Sequence, residues 1–266
     1  MPAVLEHISG HIANLNVLTN LTMNTGDSLA VRNFDNAKKA YLLSTWAFVT
    51  AAGLSEIHSP RMHDNSHAIH TRVVASQPLP TMPFQFPQRL YPTDVLIAQL
   101  SGDNTAGRQQ PMSMLLYYED VPGLSARLLK PADVVTKLVN IYTIEATVTL
   151  AVTGDYSAAV AINSTAANDF FIANTDYAIL GYTVDVTCNS VHWRGADLGN
   201  VRAGGIGHSG FPHRTSRWFC ELSDYFDLAL VPVFNSNNKG AVQIDATMTQ
   251  AGGTLNVTTI MAQLAR

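Results

Sequence analysis

Apolar and polar residues alternate with a period of two over several stretches of the chain. In Tyr182-Thr183-Val184-Asp185-Val186-Thr187-Cys188 every second side chain is polar, which predicts a strand with one face in a core and one face out. Runs rich in β-branched or aromatic residues and bounded by Gly, Pro, Asn or Asp predict further strands over residues 12–23, 112–118, 141–152, 217–222, 242–248 and 255–261. Residues 40–53 are apolar without a clear period and fit a buried helix or a strand. Residues 126–139 carry helical spacing, with Pro131 placed to open a short helix.

Self-similarity resolves the ambiguous run. Thr25-Gly26-Asp27, ahead of a strand-like segment, recurs as Thr153-Gly154-Asp155. Ala40-Tyr41-Leu42-Leu43-Ser44-Thr45-Trp46-Ala47-Phe48-Val49 aligns with Tyr177-Ala178-Ile179-Leu180-Gly181-Tyr182-Thr183-Val184-Asp185-Val186. Asp94-Val95-Leu96-Ile97-Ala98 aligns with Asp227-Leu228-Ala229-Leu230-Val231, each ahead of a Ser/Asn/Gly turn. Three landmarks thus recur in one order at an offset of about 130 residues. The alternating copy makes residues 40–53 a strand as well. The expected organisation is all-β: two tandem jelly-roll (β-sandwich) domains from an internal duplication, over 1–125 and 141–266, joined by a linker with a short helix over 126–140. The long connection 55–91, with prolines at 78, 80, 83, 87 and 92, reads as an extended, semi-rigid arm that binds or locks against neighbours.

Composition narrows the function classes. The chain has 266 residues, 47% hydrophobic and 14% charged, against about a quarter charged in an average soluble protein. So little charge suits a surface made of Thr, Asn, Ser and Gln, or one largely buried against partners. The balance of 16 basic against 20 acidic residues steers the chain neither to nucleic acid nor to an acidic membrane, and no Lys or Arg precedes Arg32. Two cysteines, Cys188 and Cys220, make no disulfide framework, and no signal-peptide pattern opens the sequence, so a reducing compartment is expected. The longest apolar stretch falls short of the roughly 18 residues that cross a bilayer, so no transmembrane segment is expected.

The tandem duplication over about residues 12–262, the all-β reading of both copies and the helical joint between them resemble the double jelly-roll major capsid proteins of icosahedral viruses, the lineage of several tailless bacteriophages and adenovirus. The resemblance rests on architecture and on no signature motif. It implies a structural protein of the virion, assembled in the host cytoplasm, with no catalytic residue and no cofactor. Its partners would be two further copies in a homotrimer of pseudo-sixfold outline, neighbouring trimers that tile the shell, and minor capsid proteins, without direct nucleic-acid contact. Two other readings stay open: a trimeric glycan- or receptor-binding phage protein, and a bicupin-type metalloenzyme.

Candidate chemistry is sparse. His58, His63, Asp64, His67 and His70 cluster in the first half and are the residue types that ligate zinc, nickel or iron. They lack the His-x-His of cupins, so the expectation is no metal site but a polar loop whose histidines serve interfaces. Gly205-Ile206-Gly207-His208-Ser209-Gly210 fits G-x-G-x-x-G in letters only, because that motif needs a following helix to face a pyrophosphate. A Gly-rich loop is the expectation. Trp193, Arg194, Arg202, Arg214, Arg217 and Trp218 form the most basic and aromatic region and are the candidates for contact with a neighbouring subunit. Cys188 and Cys220 read as small core residues.

Overall fold

The computed structural model describes residues 3–13, 16–33, 39–62, 68–78, 87–102, 108–121, 126–151, 153–165, 170–249 and 252–265. The first half contributes β1 (Val4–Ala13), β2 (Thr19–Asn20), β3 (Thr22–Met23), β4 (Lys39–Ala47), β5 (Gly53–His58), β6 (Ile69–Val73), β7 (Gln88–Leu90), β8 (Ile97–Leu100) and β9 (Gln109–Glu119). They form a five-stranded sheet, β3-β1-β9-β4-β7, and a four-stranded sheet, β2-β8-β5-β6. The second half contributes β10 (Arg127–Leu129), helix α1 (Pro131–Lys137), β11 (Leu138–Thr149), β12 (Val160–Ala161), β13 (Asp176–Val184), β14 (Cys188–Arg194), β15 (Arg202–Gly207), helices α2 (Pro212–Thr215) and α3 (Trp218–Phe226), β16 (Val231–Asn235), β17 (Gln243–Thr247) and β18 (Thr254–Leu264). Its sheets run β10-β16-β13-β18-β11 and β12-β17-β14-β15. Every ladder between named strands is antiparallel.

With the edge strands β3 and β10 set aside, both halves follow one order. The first, eighth, third and sixth strands form one sheet, and the second, seventh, fourth and fifth form the other. This is the wrapping of an eight-stranded jelly roll. The correspondence reaches single residues. The ladder of β4 with β9 skips a residue at Leu43, and that of β13 with β18 skips one at Leu180, the two leucines that the sequence alignment places opposite each other. A bulge re-aims the side chains beyond it, so a matched bulge keeps both sheets facing alike. The third landmark does not correspond: Asp94 leads into β8 of a four-stranded sheet, whereas Asp227 leads into β16 of a five-stranded one.

Several expectations change. The strand predicted over 12–23 is the end of β1 and two short pieces. β1 has no legible period because both its faces are buried, Glu6, His7 and Ser9 as well as Val4, Leu5 and Ile8. Residues 217–222 are not a strand but the start of α3, in which Trp218, Phe219 and Leu222 are buried at helical spacing while Asp224 and Tyr225 face out. Helix α1 begins on Pro131 as expected, but Leu128 and its neighbours pair with β16 and add an edge to the second sheet. Residues 205–207 are not loop but the end of β15.

Two apolar cores result. One lies between the sheets of the first half around Val4, Ile8, Leu42, Leu116 and Tyr118. The other lies between the sheets of the second half around Tyr182, Trp193 and Phe219, and it extends across the joint to Leu5, Leu43, Trp46, Leu115 and Tyr117 of the first half. The two sandwiches are therefore packed side by side. No helix among the described residues is long and apolar enough to cross a membrane.

Candidate functional site: the polar seam between the sandwiches

The outer face of the first five-stranded sheet lies on the outer face of the second four-stranded sheet. Strand alternation determines which residues meet. From β1 and β9 come Leu5, His7, Ser9, Ser113 and Leu115, and from β14, β15 and β17 come Ser190, His192, Gly204, Asp245 and Thr247. The apolar members pack, and the polar members form a bonded network. Trp46 Nε1 donates to the Asn189 carbonyl at 2.9 Å, and Asn189 Nδ2 donates to Ser113 Oγ at 2.7 Å and Thr247 Oγ1 at 3.1 Å. Arg202 lies 3.6 Å over the Tyr156 ring, bonds Asp245 at 3.0 Å and reaches Asp27 of the other sandwich at 3.5 Å. The Tyr156 hydroxyl donates to the same Asp27.

At one edge the two Thr-Gly-Asp turns meet each other. Thr25 donates its backbone N–H and its hydroxyl to the Asp155 carboxylate at 3.0 and 2.7 Å, and Asn24 donates to the Gly154 carbonyl at 3.1 Å. Both glycines have positive φ, 88° at Gly26 and 79° at Gly154, which glycine adopts without strain. The recurring motif is thus part of the seam.

Within the seam, Ser190 Oγ lies 2.8 Å from His192 Nε2, and His192 Nδ1 lies 2.8 Å from Asp245 Oδ1. The order is that of nucleophile, base and orienting acid. Sheet geometry alone produces it, since Ser190 and His192 are alternate residues of β14 and Asp245 is the cross-strand partner of His192. Ser190, His192 and Asp245 are 0%, 0% and 1% exposed, and Ser190 Oγ is also held by Thr247 at 2.6 Å. A nucleophile must meet its substrate, and this hydroxyl is enclosed by His192, Thr247 and Asn189 of its own sandwich and Ser113 of the other. Burial holds His192 below the usual histidine range, against the pull of Asp245; burial also pushes Asp245 up, but His192 and Arg202 together bring it below the usual carboxylate range. The arrangement is a neutral imidazole donating to a carboxylate, and it fixes the seam face of the second sandwich, on which Ser190 meets Ser113 of the first at 3.4 Å.

The candidates from sequence are distributed elsewhere. His58 and His70 flank one carboxylate, Glu56, at 3.2 and 3.6 Å. His63, Asp64 and His67 lie outside the described residues. Among the described residues no three His, Cys, Asp or Glu side chains converge as a metal would require. Of the interface candidates, Trp193 and Trp218 are corrected to core residues. Both are buried, with their indole N–H groups donating to Thr259 Oγ1 at 3.1 Å and to the Gly204 carbonyl at 3.2 Å. Arg202 serves the internal seam. Arg194 is half-exposed, and Arg214 and Arg217 are exposed, Arg217 pairing with Glu221 at 2.8 Å. Burial pushes the Cys188 thiol up to about 12 and the Cys220 thiol to about 11, so both stay protonated and unreactive. A cleft of about 430 Å³ opens at the joint, lined by Lys39, Glu119, Lys130 and Asp227 among others. Those four pair with each other at 3.1 and 2.6 Å.

Sequence reasoning missed His7, Asp27, Asn189 and Asp245. The available signal was a polar residue inside an apolar strand, as in Val191-His192-Trp193 and Ile244-Asp245-Ala246, where an acid and an imidazole hidden on one sheet imply each other.

No family model matches the chain, and no curated protein matches it. Among solved structures it is similar to the crystal structure of PBSX exported protein XepA at 13% identity, covering 97% of this chain and 86% of that one, with a TM-score of 0.27. A likeness of that size carries no argument about fold or role.

Proposed function

We propose that the chain is a structural shell protein of the double jelly-roll kind, which self-associates as pseudo-hexameric trimers that tile an icosahedral capsid. The carrying observation is the common threading of the two sandwiches, with a bulge at aligned leucines, joined side by side through a bonded seam. An internal duplication accounts for that correspondence. A unit that already packs one sandwich on a like sandwich carries the geometry for repeating the contact, and a surface of low charge suits a subunit covered by its neighbours. The reading assigns no catalytic residue: Ser190, which has a histidine and an acid behind it, is sealed in the seam. It places the protein in the virion, assembled in the host cytoplasm, with minor capsid proteins as further partners.

The test is the mass of the purified native protein by light scattering, with negative-stain imaging of the same fraction. Trimers that go on to form particles or pseudo-hexagonal arrays are expected. A monomer at every concentration would overturn the reading, and an isolated trimer that binds immobilised glycan would favour a receptor-binding protein instead.

A further inference from the structure

We infer that the outer face of the second five-stranded sheet docks on the outer face of the first four-stranded sheet of another copy of this chain. The inference rests on the self-assembly reading above and names the faces it uses. Within one chain, the first five-stranded sheet is covered on both sides: its outer residues His7, Ser9, Ser113 and Leu115 lie in the seam. Its counterpart in the second half is covered over β13 and β16, where a Cβ on Gly181 would meet the Thr215 carbonyl at 2.4 Å, and is open along β11. Along β11, Ile144, Ala146 and Val148 are buried while Thr143, Glu145, Thr147 and Thr149 are exposed. The matched bulges give the correspondence: Leu115 and Ile260 both lie beside the skipped residue. Counting along the ladders, Thr143 then occupies the place of His7, and Glu145 the place of Ser9.

The receiving face shows the same asymmetry. In the second half, the outer row of β14, β15 and β17 is buried under β1 and its neighbours, and a Cβ on Gly204 of β15 would stand 3.2 Å from His7 Cγ. In the first half, the corresponding strand is β6, and its outward residues His70 and Arg72 are exposed. If the internal contact repeats between copies, β11 of one chain lies on β6 of the next. The exposed charges then suit each other at Arg72, which meets Glu145 and Asp185, while His70 already lies 3.6 Å from the Glu56 carboxylate of its own sheet. Each chain offers one open copy of each face, so the contact is head-to-tail, and the trimer proposed above requires that it close into a ring of three.

Two double variants separate the faces: Glu145→Arg with Thr147→Arg breaks the docking face, and His70→Glu with Arg72→Glu breaks the receiving face. Like charges then meet, and association of each variant alone should weaken on the order of 100-fold, leaving monomers. An equimolar mixture should recover the wild-type oligomer, because the unaltered faces pair and the two reversed faces, now Arg against Glu, are complementary again. Circular dichroism checks that the variants fold, and the milder Glu145→Gln and Arg72→Gln pair repeats the assay if a reversal does not. Wild-type oligomers that both folded variants still form would overturn the inference and leave the shell reading standing. A wild type that is itself monomeric would overturn both.

Discussion

The imidazole rings of His7 and His192 meet across the joint between the two sandwiches with their centroids 4.1 Å apart and their planes tilted by 39°. Both side chains are buried, yet they are held differently. His192 is bonded at both ring nitrogens, to Asp245 and Ser190, whereas neither ring nitrogen of His7 has a partner on any other described residue. A buried polar group without a partner costs about 1–3 kcal/mol. The seam keeps this cost at its centre, next to the Arg202 charge.

The first consequence is a pH dependence of opposite sign at two residues of the seam. Burial, together with His192 and Arg202, keeps the His7 imidazole well below the usual histidine range. Below a pH of about 6.5 the unfolded chain protonates this residue and the folded chain does not, so stability falls as pH falls. Asp27 works the other way. Burial raises its carboxyl from 3.8 to about 6, so its cost is fully present above that pH and is relieved as pH drops and it takes a proton. His7→Leu should therefore gain stability relative to wild type between about pH 7.5 and 5, and Asp27→Asn should gain in the opposite direction. Urea unfolding of the three proteins at both pH values measures this, and a His7→Leu difference that does not change with pH would contradict it.

A second expectation concerns Trp46, which the first sandwich inserts beneath the second. Its indole donates to the Asn189 carbonyl and meets the Trp218 ring edge-on at 6.1 Å. Trp46→Ala should cost about 3–5 kcal/mol. Trp46→Phe keeps most of the apolar area but orphans a buried carbonyl, for about 1–3 kcal/mol. Because the residue joins two cores, loss of its packing should split a single cooperative urea transition into two, with the sandwiches unfolding separately.

How far the fold was legible can be judged from particular strands. β9, β17 and β18 stood out because β-branched and aromatic residues cluster between turn residues, and residues 40–47 became a strand through the repeat. β1 and β14 did not stand out, because burial on both faces removes the alternation that marks a half-exposed strand. The site was less visible still. His192 and Asp245 are far apart in the chain and meet only through the register of β14 with β17, a pairing that sequence periodicity does not specify. In the Arg/Trp region, singled out for contact with a neighbouring subunit, Arg202 instead reaches Asp27 of the chain's own first half.

The glycines of β15 provide a third test. They looked like a loop, but a Cβ on Gly205 would come within 2.3 Å of Trp218 Nε1 and 2.4 Å of the Tyr182 hydroxyl. Close packing of α3 on the strand requires this glycine. Gly205→Ala should destabilise by about 1–3 kcal/mol through overpacking. Gly240→Ala, where a Cβ meets nothing within 4 Å, should stay within about 0.5 kcal/mol of wild type. Equal melting points for the two variants would contradict the close packing of strand and helix.

The last expectation separates a lock from a hidden enzyme. Ser190→Ala removes the hydroxyl between His192 Nε2 and Thr247 Oγ1 and leaves a buried imidazole nitrogen and a buried hydroxyl short of a partner. As a structural element it should cost about 1–3 kcal/mol and loosen the seam, so that amide protons of β1 and β14 exchange faster while those of β5 and β11 do not. As a nucleophile it would instead react with a serine-directed fluorophosphonate, and the substitution would abolish labelling at unchanged stability. Sealing of Ser190, His192 and Asp245 from solvent predicts the first outcome. The native protein should take up no label at Ser190, and labelling should begin only where denaturant opens the seam. Stoichiometric labelling of the folded wild type would assign catalysis to this seam and remove the ground for an inert shell subunit.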